Sequence, residues 1–517
     1  MPQQPGAGSL GSTEDAYYSG AGSRSLHRSL SDRQIMREQL TPDALGLVVC
    51  LVGLPARGKS FISRKVERFL RWTGSNTRMF NVGKYRRDAV DATRSGRSEF
   101  FDSHNSAAMA ARDRVALQAL ADALDFLDTG GKFAILDATN STQSRRKLIT
   151  DTVGAHSRPY SVIFVEAVCD DAEVLEVNMR TKVQFSPDFA HLTEEQALAD
   201  LKMRIAKYED VYETVQDSEG PFIKLYNLSS KVMANHCYGR VAKSILPYLM
   251  AIHVGSRPIW LVRAGSGQAD EGTLNGNRAP DRTSRLSQEG REFALSLAAW
   301  TFRRADGYWE DCGKKKEPTM VLTSTMPRAV ATVSYSTLRN EQRAALNPID
   351  KGVLGTGWWD VECPSDTPPW GEVERRHPEF MAQWRENPLR CHFPGGESYM
   401  DVIMRLESVL VDVEMCTRPV LIVSHVTTLQ LLKAYFMGMP VEEAWQMQVK
   451  KNTVFEVIPT PGGGFQCEEH DLETCKKQES QEGPEGRSEV FVCLDKRCRE
   501  GSMGAEEELE AKRPKVA

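Results

Sequence analysis

Several features that would indicate a membrane, secreted or nucleic-acid-binding protein are missing from this 517-residue sequence. No apolar run reaches the ~20 residues that a membrane-spanning helix needs, and residues 1–30 lack the apolar core of a signal peptide. The eleven cysteines form no C-x-x-C pair, so neither a zinc site nor a redox motif is predicted. The net charge of −5 gives no general attraction to nucleic acid or to an acidic membrane. These absences favour free thiols and a cytosolic location, with neither nucleic acid nor membrane as a partner.

Strand-like and helix-like stretches alternate along most of the chain. Apolar, β-rich runs that are typical of buried strands are LGLVVCLVG, RMFNVG, KFAILDATN, YSVIFVEAV, PIWLVRAG, TMVLTST, PVLIVSH and TVFEVIPTPGGG. Between them lie helix-like stretches such as SFISRKVERFLRW, in which Ile62, Val66 and Phe69 share one helical face. The alternation predicts α/β domains, each with a mainly parallel sheet covered by helices.

Composition sets the predicted domain boundaries. The Gly, Ser and Pro residues of HVGSRP separate a first domain, residues 44–252, from a second domain, residues 257–461. Residues 1–43 and the acidic residues 462–517 are predicted to be disordered tails. In the first tail, HRSLSD places an arginine three residues before Ser31, a spacing that basophilic protein kinases favour but that is common in any Ser/Arg-rich tail. The four residues KRPK near the C-terminus are weak evidence for a nuclear-import signal, and a solvated chain end is the favoured interpretation.

The segment GLPARGKS, residues 53–60, fits the pattern G-x-x-x-x-G-K-[ST] between a predicted strand and a predicted helix. Glycines at both ends of such a loop let backbone N–H groups turn toward phosphate oxygens, and the helix N-terminus adds its positive end. Lys59 is then expected to reach the β and γ phosphates, and Ser60 to coordinate Mg²⁺. The positions predicted to bind ATP in this loop are Gly53, Ala56, Arg57, Gly58, Lys59 and Ser60.

Two further features indicate chemistry at the same edge of the sheet. Asp137 follows four apolar residues, so it lies at the carboxyl end of a strand, where open α/β sheets bind ligands. It can hold Mg²⁺ or accept a proton from the acceptor hydroxyl, and the alternative role is that of a helix N-cap. Arg86 and Arg87, just after a strand, suit an anionic acceptor because guanidinium groups grip phosphate in two places. The alternative is the solvated start of a helix.

The motifs NVGKYRR, DATNST, NMRTKVQFSPDF and MRIAKYEDVYE resemble the kinase half of the bifunctional 6-phosphofructo-2-kinase/fructose-2,6-bisphosphatase family, with a plant-like form of several motifs. The resemblance implies ATP-dependent phosphorylation of fructose 6-phosphate at O2, with Mg²⁺. It implies catalytic roles for Lys59, Asp137 and Lys182, and a nucleotide contact for Asn178. The residues implied to bind the sugar phosphate are Arg86, Arg87, Thr139, Arg204 and Tyr208.

One position departs from the kinase motifs of the family. Asp102, in FFDSHN, stands where the family has an arginine that helps to bind the sugar phosphate. Arg94 and Arg97, in a short insertion just upstream, are the candidates to replace that arginine. The departure leaves open a second reading, a P-loop kinase for another phosphorylated metabolite.

The second half resembles the phosphatase half of the same family, which has the phosphoglycerate-mutase-like histidine phosphatase fold. Arg263, Arg328 and His425 match the two arginines and the second histidine of that site. Ala264, in LVRAGSG, stands where the family has its nucleophilic histidine, and Gly355 stands where it has an acidic residue. The resemblance therefore predicts a phosphatase fold that no longer hydrolyses its substrate. Packing against the kinase half, homodimerisation and anion sensing are its remaining candidate uses.

Two more replacements, Gln430 and Gly395, remove basic residues that the family uses around the sugar bisphosphate. The sequence as a whole predicts a kinase that forms fructose 2,6-bisphosphate without degrading it. A third reading is a sugar-phosphate sensor without catalysis. The intact P-loop, together with Asp137 and Lys182, argues against the sensor.

Overall fold

The computed structural model describes residues 45–89, 105–228, 230–237, 239–253, 255–267, 285–336, 338–352 and 370–472. The predicted phosphorylation site Ser31, the acceptor-side residues Arg94, Arg97 and Asp102, and the phosphatase-site position Gly355 lie outside these ranges.

A six-stranded sheet forms the centre of the first domain. Its strands are β1 (Leu47–Val52), β2 (Thr77–Asn81), β3 (Phe133–Asp137), β4 (Ser161–Val168), β5 (Phe222–Tyr226) and β6 (Lys231–Asn235). They lie in the order β2-β3-β1-β4-β5-β6, and every neighbouring pair is parallel except β5 and β6. All residues of β1 and β3 are buried, as expected for strands covered on both faces. The predicted mainly parallel sheet is confirmed.

Seven helices of the first domain fall in the described ranges. They are α1 (Lys59–Trp72), α2 (Val82–Ala89), α3 (Ser106–Asp128), α4 (Gln143–Gly154), α5 (Ala172–Phe185), α6 (Glu194–Glu209) and α7 (Arg240–Ala251). Helices α3 to α6 each begin with a side chain that accepts a hydrogen bond from the first turn; these residues are Asn105, Thr142, Asp171 and Thr193. Helix α1 instead follows Gly58, which has no side chain to cap it. The first N–H groups of α1 therefore stay available to a ligand.

A second six-stranded sheet forms the centre of the second domain. Its strands are β7 (Ile259–Arg263), β8 (Met320–Thr323), β9 (Asn340–Gln342), β10 (Val420–Ser424), β11 (Thr453–Pro459) and β12 (Phe465–Asp471). The order is β12-β11-β7-β10-β8-β9, with β7, β10, β8 and β9 parallel and with β11 antiparallel to both of its neighbours. The described helices are α8 (Gln288–Cys312), α9 (Pro327–Thr332), α10 (Trp370–Arg376), α11 (Pro378–Glu386), α12 (Tyr399–Met415) and α13 (Val426–Met437).

Strand β12 corrects the prediction that the disordered tail begins at residue 462. All seven residues of β12 pair with β11 across the turn at residues 460–464. The sequence FQCEEHD carries little apolar signal because β12 lies at the edge of the sheet and leaves most of its side chains in water. The second sheet therefore extends about ten residues beyond the predicted boundary.

One apolar core runs through both domains. It includes Val49 of β1 and Phe69 of α1 from the first domain, and Leu261 of β7 and Ile422 of β10 from the second. The seven cysteines in the described ranges are free thiols. Of the helices in those ranges, none combines the length and the apolarity that crossing a bilayer requires.

Candidate functional site

A cleft of about 1490 Å³ opens where β1 and β3 end. Two of the residues predicted for the kinase site, Gly53 and Arg57, do not line it. The predicted residues that do line it are Ala56, Gly58, Lys59, Ser60, Arg86, Arg87, Asp137, Thr139, Asn178, Lys182, Arg204 and Tyr208. They come from five separate stretches of sequence, so the fold brings together what the motifs predicted one at a time.

The P-loop conformation depends on glycine at both ends. Gly53 has φ 137°, and a Cβ there would lie 2.6 Å from the carbonyl oxygen of Ala167. Its N–H donates to the carbonyl oxygen of Thr139, which ties the loop to the end of β3. Gly58 has φ 81°, a left-handed conformation that glycine adopts without strain, and α1 begins at the next residue. Lys59 Nζ donates to the carbonyl oxygen of Leu54, 2.6 Å away, so the lysine folds back over the loop.

Asp137 is the last residue of β3 and is only 4% exposed. Its Oδ2 accepts hydrogen bonds from Ser60 Oγ at 2.7 Å and from Asn81 Nδ2 at 2.5 Å. The N-cap alternative is wrong, because Thr142 caps the helix that follows. Asn81, at the end of the neighbouring strand β2, is a site residue that the sequence analysis missed.

Two lysines, Lys59 and Lys182, bring positive charges close together on the P-loop side of the cleft. Burial, followed by the positive charge of Lys182, lowers the pKa of Lys59 to about 7, although Asp137 opposes the shift. Burial also lowers the pKa of Lys182, against the opposing charges of Asp137 and Asp188. Lys182 therefore lies within electrostatic reach of both carboxylates, between the two sides of the cleft.

Asp188 accepts hydrogen bonds from three of the arginines that are predicted to bind the phosphate acceptor. Its Oδ2 accepts from Arg86 at 2.5 Å and from Arg204 at 3.1 Å, and its Oδ1 accepts from Arg87 at 3.2 Å. Burial alone would raise the pKa of Asp188, but the charges of Arg86, Arg204 and Arg87 lower it. Arg204 is also held by Asp200, at 2.7 Å. Asp188 lies inside the motif NMRTKVQFSPDF, but nothing in that local pattern predicts its contacts with the three arginines.

A fourth arginine lines the same side. Arg145, at the start of α4, forms an ion pair with Asp113 of α3, and both side chains line the cleft. Arg145 Nε is buried and donates to no group in the described part of the chain. These four guanidinium groups outnumber the three carboxylates that they contact, Asp113, Asp188 and Asp200, so the group carries a net positive charge, as an anionic acceptor requires.

The remaining predicted residues of the first domain lie at the margins of the cleft. Arg57 extends toward Glu209, 3.4 Å away, on the end of α6. Thr139 follows Asp137 by two residues, and Tyr208 lies in the last turn of α6. The Asn178 Nδ2 atom is buried and has no hydrogen-bond partner among the described residues. An unpaired amide donor of this kind is costly without a ligand, which fits the predicted nucleotide contact.

The four described residues of the second predicted site also lie together. Arg263 ends β7, pairs in register with Ser424 of β10, and donates through Nη1 to the carbonyl oxygen of Val449. The N–H of Ala264 donates to the carbonyl oxygen of Ser424. His425 Nδ1 lies 3.2 Å from Arg328 Nη2. Its Nε2 lies 2.8 Å from the hydroxyl of Ser324.

These contacts fix the histidine ring. Arg328 has only donors, so Nδ1 of His425 must accept, and the Nε2 proton then points to Ser324 Oγ. Ala264 is 5% exposed and belongs to a buried apolar cluster with Phe293. Gln430 donates to two backbone carbonyl oxygens, at 3.2 and 2.8 Å, and so braces a loop. Alanine and glutamine at these positions thus serve packing and loop support.

Comparisons with known proteins agree with this arrangement of two sites. The family model described as 6-phosphofructo-2-kinase matches residues 36–256, and that of the histidine phosphatase superfamily (branch 1) matches residues 259–472. The chain is 36% identical over 421 residues to the 6-phosphofructo-2-kinase/fructose-2,6-bisphosphatase of Gallus gallus, covering 80% of this chain and 83% of that one.

Two further relatives with that name are similarly distant. The Arabidopsis thaliana protein is 34% identical over 418 residues, which cover 80% of this chain and 52% of that one. Form 1 of Rattus norvegicus is 34% identical over 420 residues, which cover 80% and 82%. These identities do not single out the plant protein, whose motifs the sequence resembles. The chain belongs to the bifunctional 6-phosphofructo-2-kinase/fructose-2,6-bisphosphatase family.

Proposed function

We propose that this protein transfers a phosphoryl group from ATP to O2 of fructose 6-phosphate, forming fructose 2,6-bisphosphate, and that its second domain does not hydrolyse this product. One observation carries the kinase proposal: a single cleft is lined both by the P-loop residues Ala56 to Ser60, except Arg57, and by the four acceptor-side arginines described above, with Asp137 and Lys182 in it. The names of the relatives support this choice of acceptor and product.

The nucleotide side is suited to a triphosphate. The uncapped N-terminus of α1 presents free N–H groups, and Lys59 starts that helix. Lys59 can leave the Leu54 carbonyl to follow a γ phosphate, since a lysine side chain is long and flexible. Lys182 is placed to offset the charge that builds up on the transferred group.

The donor set beside the P-loop fits Mg²⁺. The Ser60 hydroxyl and the Asp137 carboxylate are oxygen ligands only 2.7 Å apart, and this hard cation prefers such ligands. Ser60 and Asp137 would hold it, and it would neutralise phosphate charge when bound. Asn81 donates to Asp137 Oδ2 and so fixes the orientation of the carboxylate.

The acceptor side is suited to a sugar phosphate. Arg86, Arg87 and Arg204 converge on Asp188, so their guanidinium groups are ordered before a phosphate arrives. A phosphate dianion bound there offers more acceptor oxygens than one carboxylate does. Once the sugar is held, Asp137 is the nearby carboxylate able to accept a proton from its hydroxyl.

The absence of hydrolysis follows from the chemistry of one residue. Hydrolysis by the histidine phosphatase route begins with attack by an imidazole, and Ala264 offers only a methyl group there. Loss of the nucleophile in another covalent hydrolase lowers turnover by ~10⁶. His425 cannot replace it without breaking its contacts with Arg328 and Ser324.

The first prediction tests the kinase. The full chain with Mg²⁺ and ATP should phosphorylate fructose 6-phosphate, and phosphorus NMR should locate the new phosphate on C2. Lys59→Ala should lower the rate by about a hundredfold or more, because it removes a preorganised charge from the transition state. Lys147→Ala, an exposed lysine away from the cleft, is the control and should keep the parental rate.

The same assay with other hexose phosphates separates the alternatives. Transfer to one of them, but not to fructose 6-phosphate, would assign the protein to another metabolite. Binding of sugar phosphates without any transfer would make it a sensor. A well-folded Lys59→Ala variant with most of its activity would rule out this ATP site.

The second prediction concerns pH. Since Lys59 has a pKa of about 7 in the unliganded protein, it carries its charge below that pH and loses it above. The kcat/KM for Mg·ATP, which reports on the free enzyme, should therefore fall as the pH rises, approaching about tenfold per pH unit. Lys59→Arg keeps a charged group throughout, so its profile should lack this step whatever its absolute rate. A flat profile for the parent protein from pH 6 to 9 would contradict the assignment.

The third prediction concerns the second domain. Incubation of the full chain with fructose 2,6-bisphosphate, without ADP, should release no phosphate and leave no acid-labile phosphohistidine. The Gallus gallus relative is the positive control for the assay conditions. Steady hydrolysis by a Lys59→Ala preparation would show that the second domain is active, since the kinase half could not be its source.

The fourth prediction concerns Asp113. Asp113→Ala should release Arg145 toward the acceptor and lower the KM for fructose 6-phosphate by roughly three- to thirtyfold. The KM for Mg·ATP should hardly change. Asp125→Ala, an exposed aspartate on the same helix and away from the cleft, is the matched control. A rise in the KM for fructose 6-phosphate would instead show that Asp113 holds Arg145 in its binding position.

A further inference from the structure

We infer that the second domain positions the P-loop helix, and that Glu414 is the residue through which it acts. The inference rests on the proposed function only in treating the P-loop as the nucleotide site. The P-loop helix, α1, carries Lys59 and Ser60 at its start and is buried between the first sheet and the second domain.

A buried ion pair joins α1 to the second domain. Lys65 lies five residues after Ser60, and its Nζ is 3.0 and 2.8 Å from the two carboxylate oxygens of Glu414. Their exposures are only 4% and 1%. Burial alone would raise the pKa of Glu414, but the Lys65 charge lowers it, so the carboxylate stays ionised. Because Nζ contacts both carboxylate oxygens and both side chains are buried, the pair holds α1 in one arrangement against α12.

The contacts then return to the same helix. Tyr435 donates its hydroxyl hydrogen to Glu414 Oε1 at 2.5 Å. It must therefore accept from the hydroxyl of Tyr248, 2.7 Å away. The ring of Tyr248 stacks on Phe69 of α1 with the centroids 4.2 Å apart. A continuous series of contacts thus connects Lys65 of α1, through the second domain, to Phe69, which lies about one turn further along the same helix.

Two more contacts hold α1 along its length. Trp72 Nε1 donates to the carbonyl oxygen of Leu431 at 2.8 Å, and Arg68 Nη1 donates to that of Gly463 at 2.8 Å. Gly463 has φ 80°, and a Cβ there would approach the ring of Phe61 to 3.0 Å. The turn between β11 and β12 therefore lies directly on α1, near the P-loop.

A helix transmits such a constraint because it is stiff. Lys65 lies about 7.5 Å along the axis from Ser60. On its other side, the start of α1 is set by the hydrogen bond from Ser60 to Asp137. A displacement of about 1 Å at a catalytic group can lower a rate a hundredfold, so small shifts in docking are enough to matter.

A purely structural role is the competing explanation, and the two make different predictions. Replacing a buried ion pair by apolar residues is often neutral or stabilising, whereas removing one partner leaves a buried charge unpaired. Stability should therefore fall in Glu414→Met and largely recover in Lys65→Met/Glu414→Met, in which the Tyr435 hydroxyl keeps that of Tyr248 as its partner. If the pair positions the P-loop, nucleotide binding should not recover with it, because the directional contact is still absent.

The experiment measures melting temperature and the Kd of Mg·ATP by calorimetry without acceptor, on the full chain. The double variant should melt near the parent protein, yet bind Mg·ATP about tenfold or more weakly and show a kcat lower by about ten- to a hundredfold. The KM for fructose 6-phosphate should change less. Arg304→Met/Glu456→Met removes another pair with a buried carboxylate, whose other partners are Trp260 and His470 of the second domain, and should leave the Kd unchanged.

Tyr435→Phe covers the case in which the double variant does not fold. It removes one hydroxyl at constant volume, frees Glu414 on one side, and should weaken Mg·ATP binding about three- to tenfold. A Kd within twofold of the parent value in every variant that folds would overturn the inference. So would a Kd that recovers in step with melting temperature. Because the Kd needs no acceptor, failure of the proposed sugar substrate leaves this test intact.

Discussion

The candidate kinase site depends on a concentration of positive charge at the carboxyl edge of the first sheet. Lys59 and Arg204, which are buried, and Lys182, which is half-buried, all line one cleft. Burial and mutual repulsion lower the pKa of both lysines. Asp188 holds Arg86 and Arg204 by hydrogen bonds, and the charge of Asp137 opposes the lowering of the pKa of both lysines. An anionic ligand therefore meets charges that need little reorganisation, which is the condition for strong electrostatic stabilisation of a transition state.

At the second predicted site, alanine and glutamine fit the fold at little cost to its stability. Ala264 packs among apolar side chains, and the amide of Gln430 is satisfied by two carbonyl oxygens. Neither residue leaves a buried polar group unpaired, which is the usual source of a large stability loss. Arg328 and His425 keep each other partnered at 3.2 Å. The fold of this half thus depends on packing and hydrogen bonds that need no polar side chain at position 264.

Site residues that lie within one short stretch could be predicted from the sequence. Contacts between residues far apart in the sequence could not. The P-loop and Asp137 each lie in a short sequence pattern that predicts the local structure, a strand followed by a turn. The contact of Arg86 with Asp188 joins residues 102 positions apart, and that of Asn81 with Asp137 spans 56. No local pattern encodes such pairs, because adjacent strand ends and packed helices bring them together. The sequence also does not predict strand β12, because an edge strand needs few apolar residues and its pairing with β11 is not visible in the local pattern.

Helix α13 connects the two halves more closely than the separate sites suggest. It begins directly after His425 of the second predicted site. Its residue Tyr435 lies about 15 Å from His425 along the helix axis. Tyr435 holds Glu414, and Glu414 holds Lys65 of the P-loop helix. Energetic coupling between two sites requires an element with two arrangements, and mere proximity is not enough. An anion beside His425 therefore affects the P-loop only to the extent that it shifts α13, against the same buried contacts that hold α1 in place.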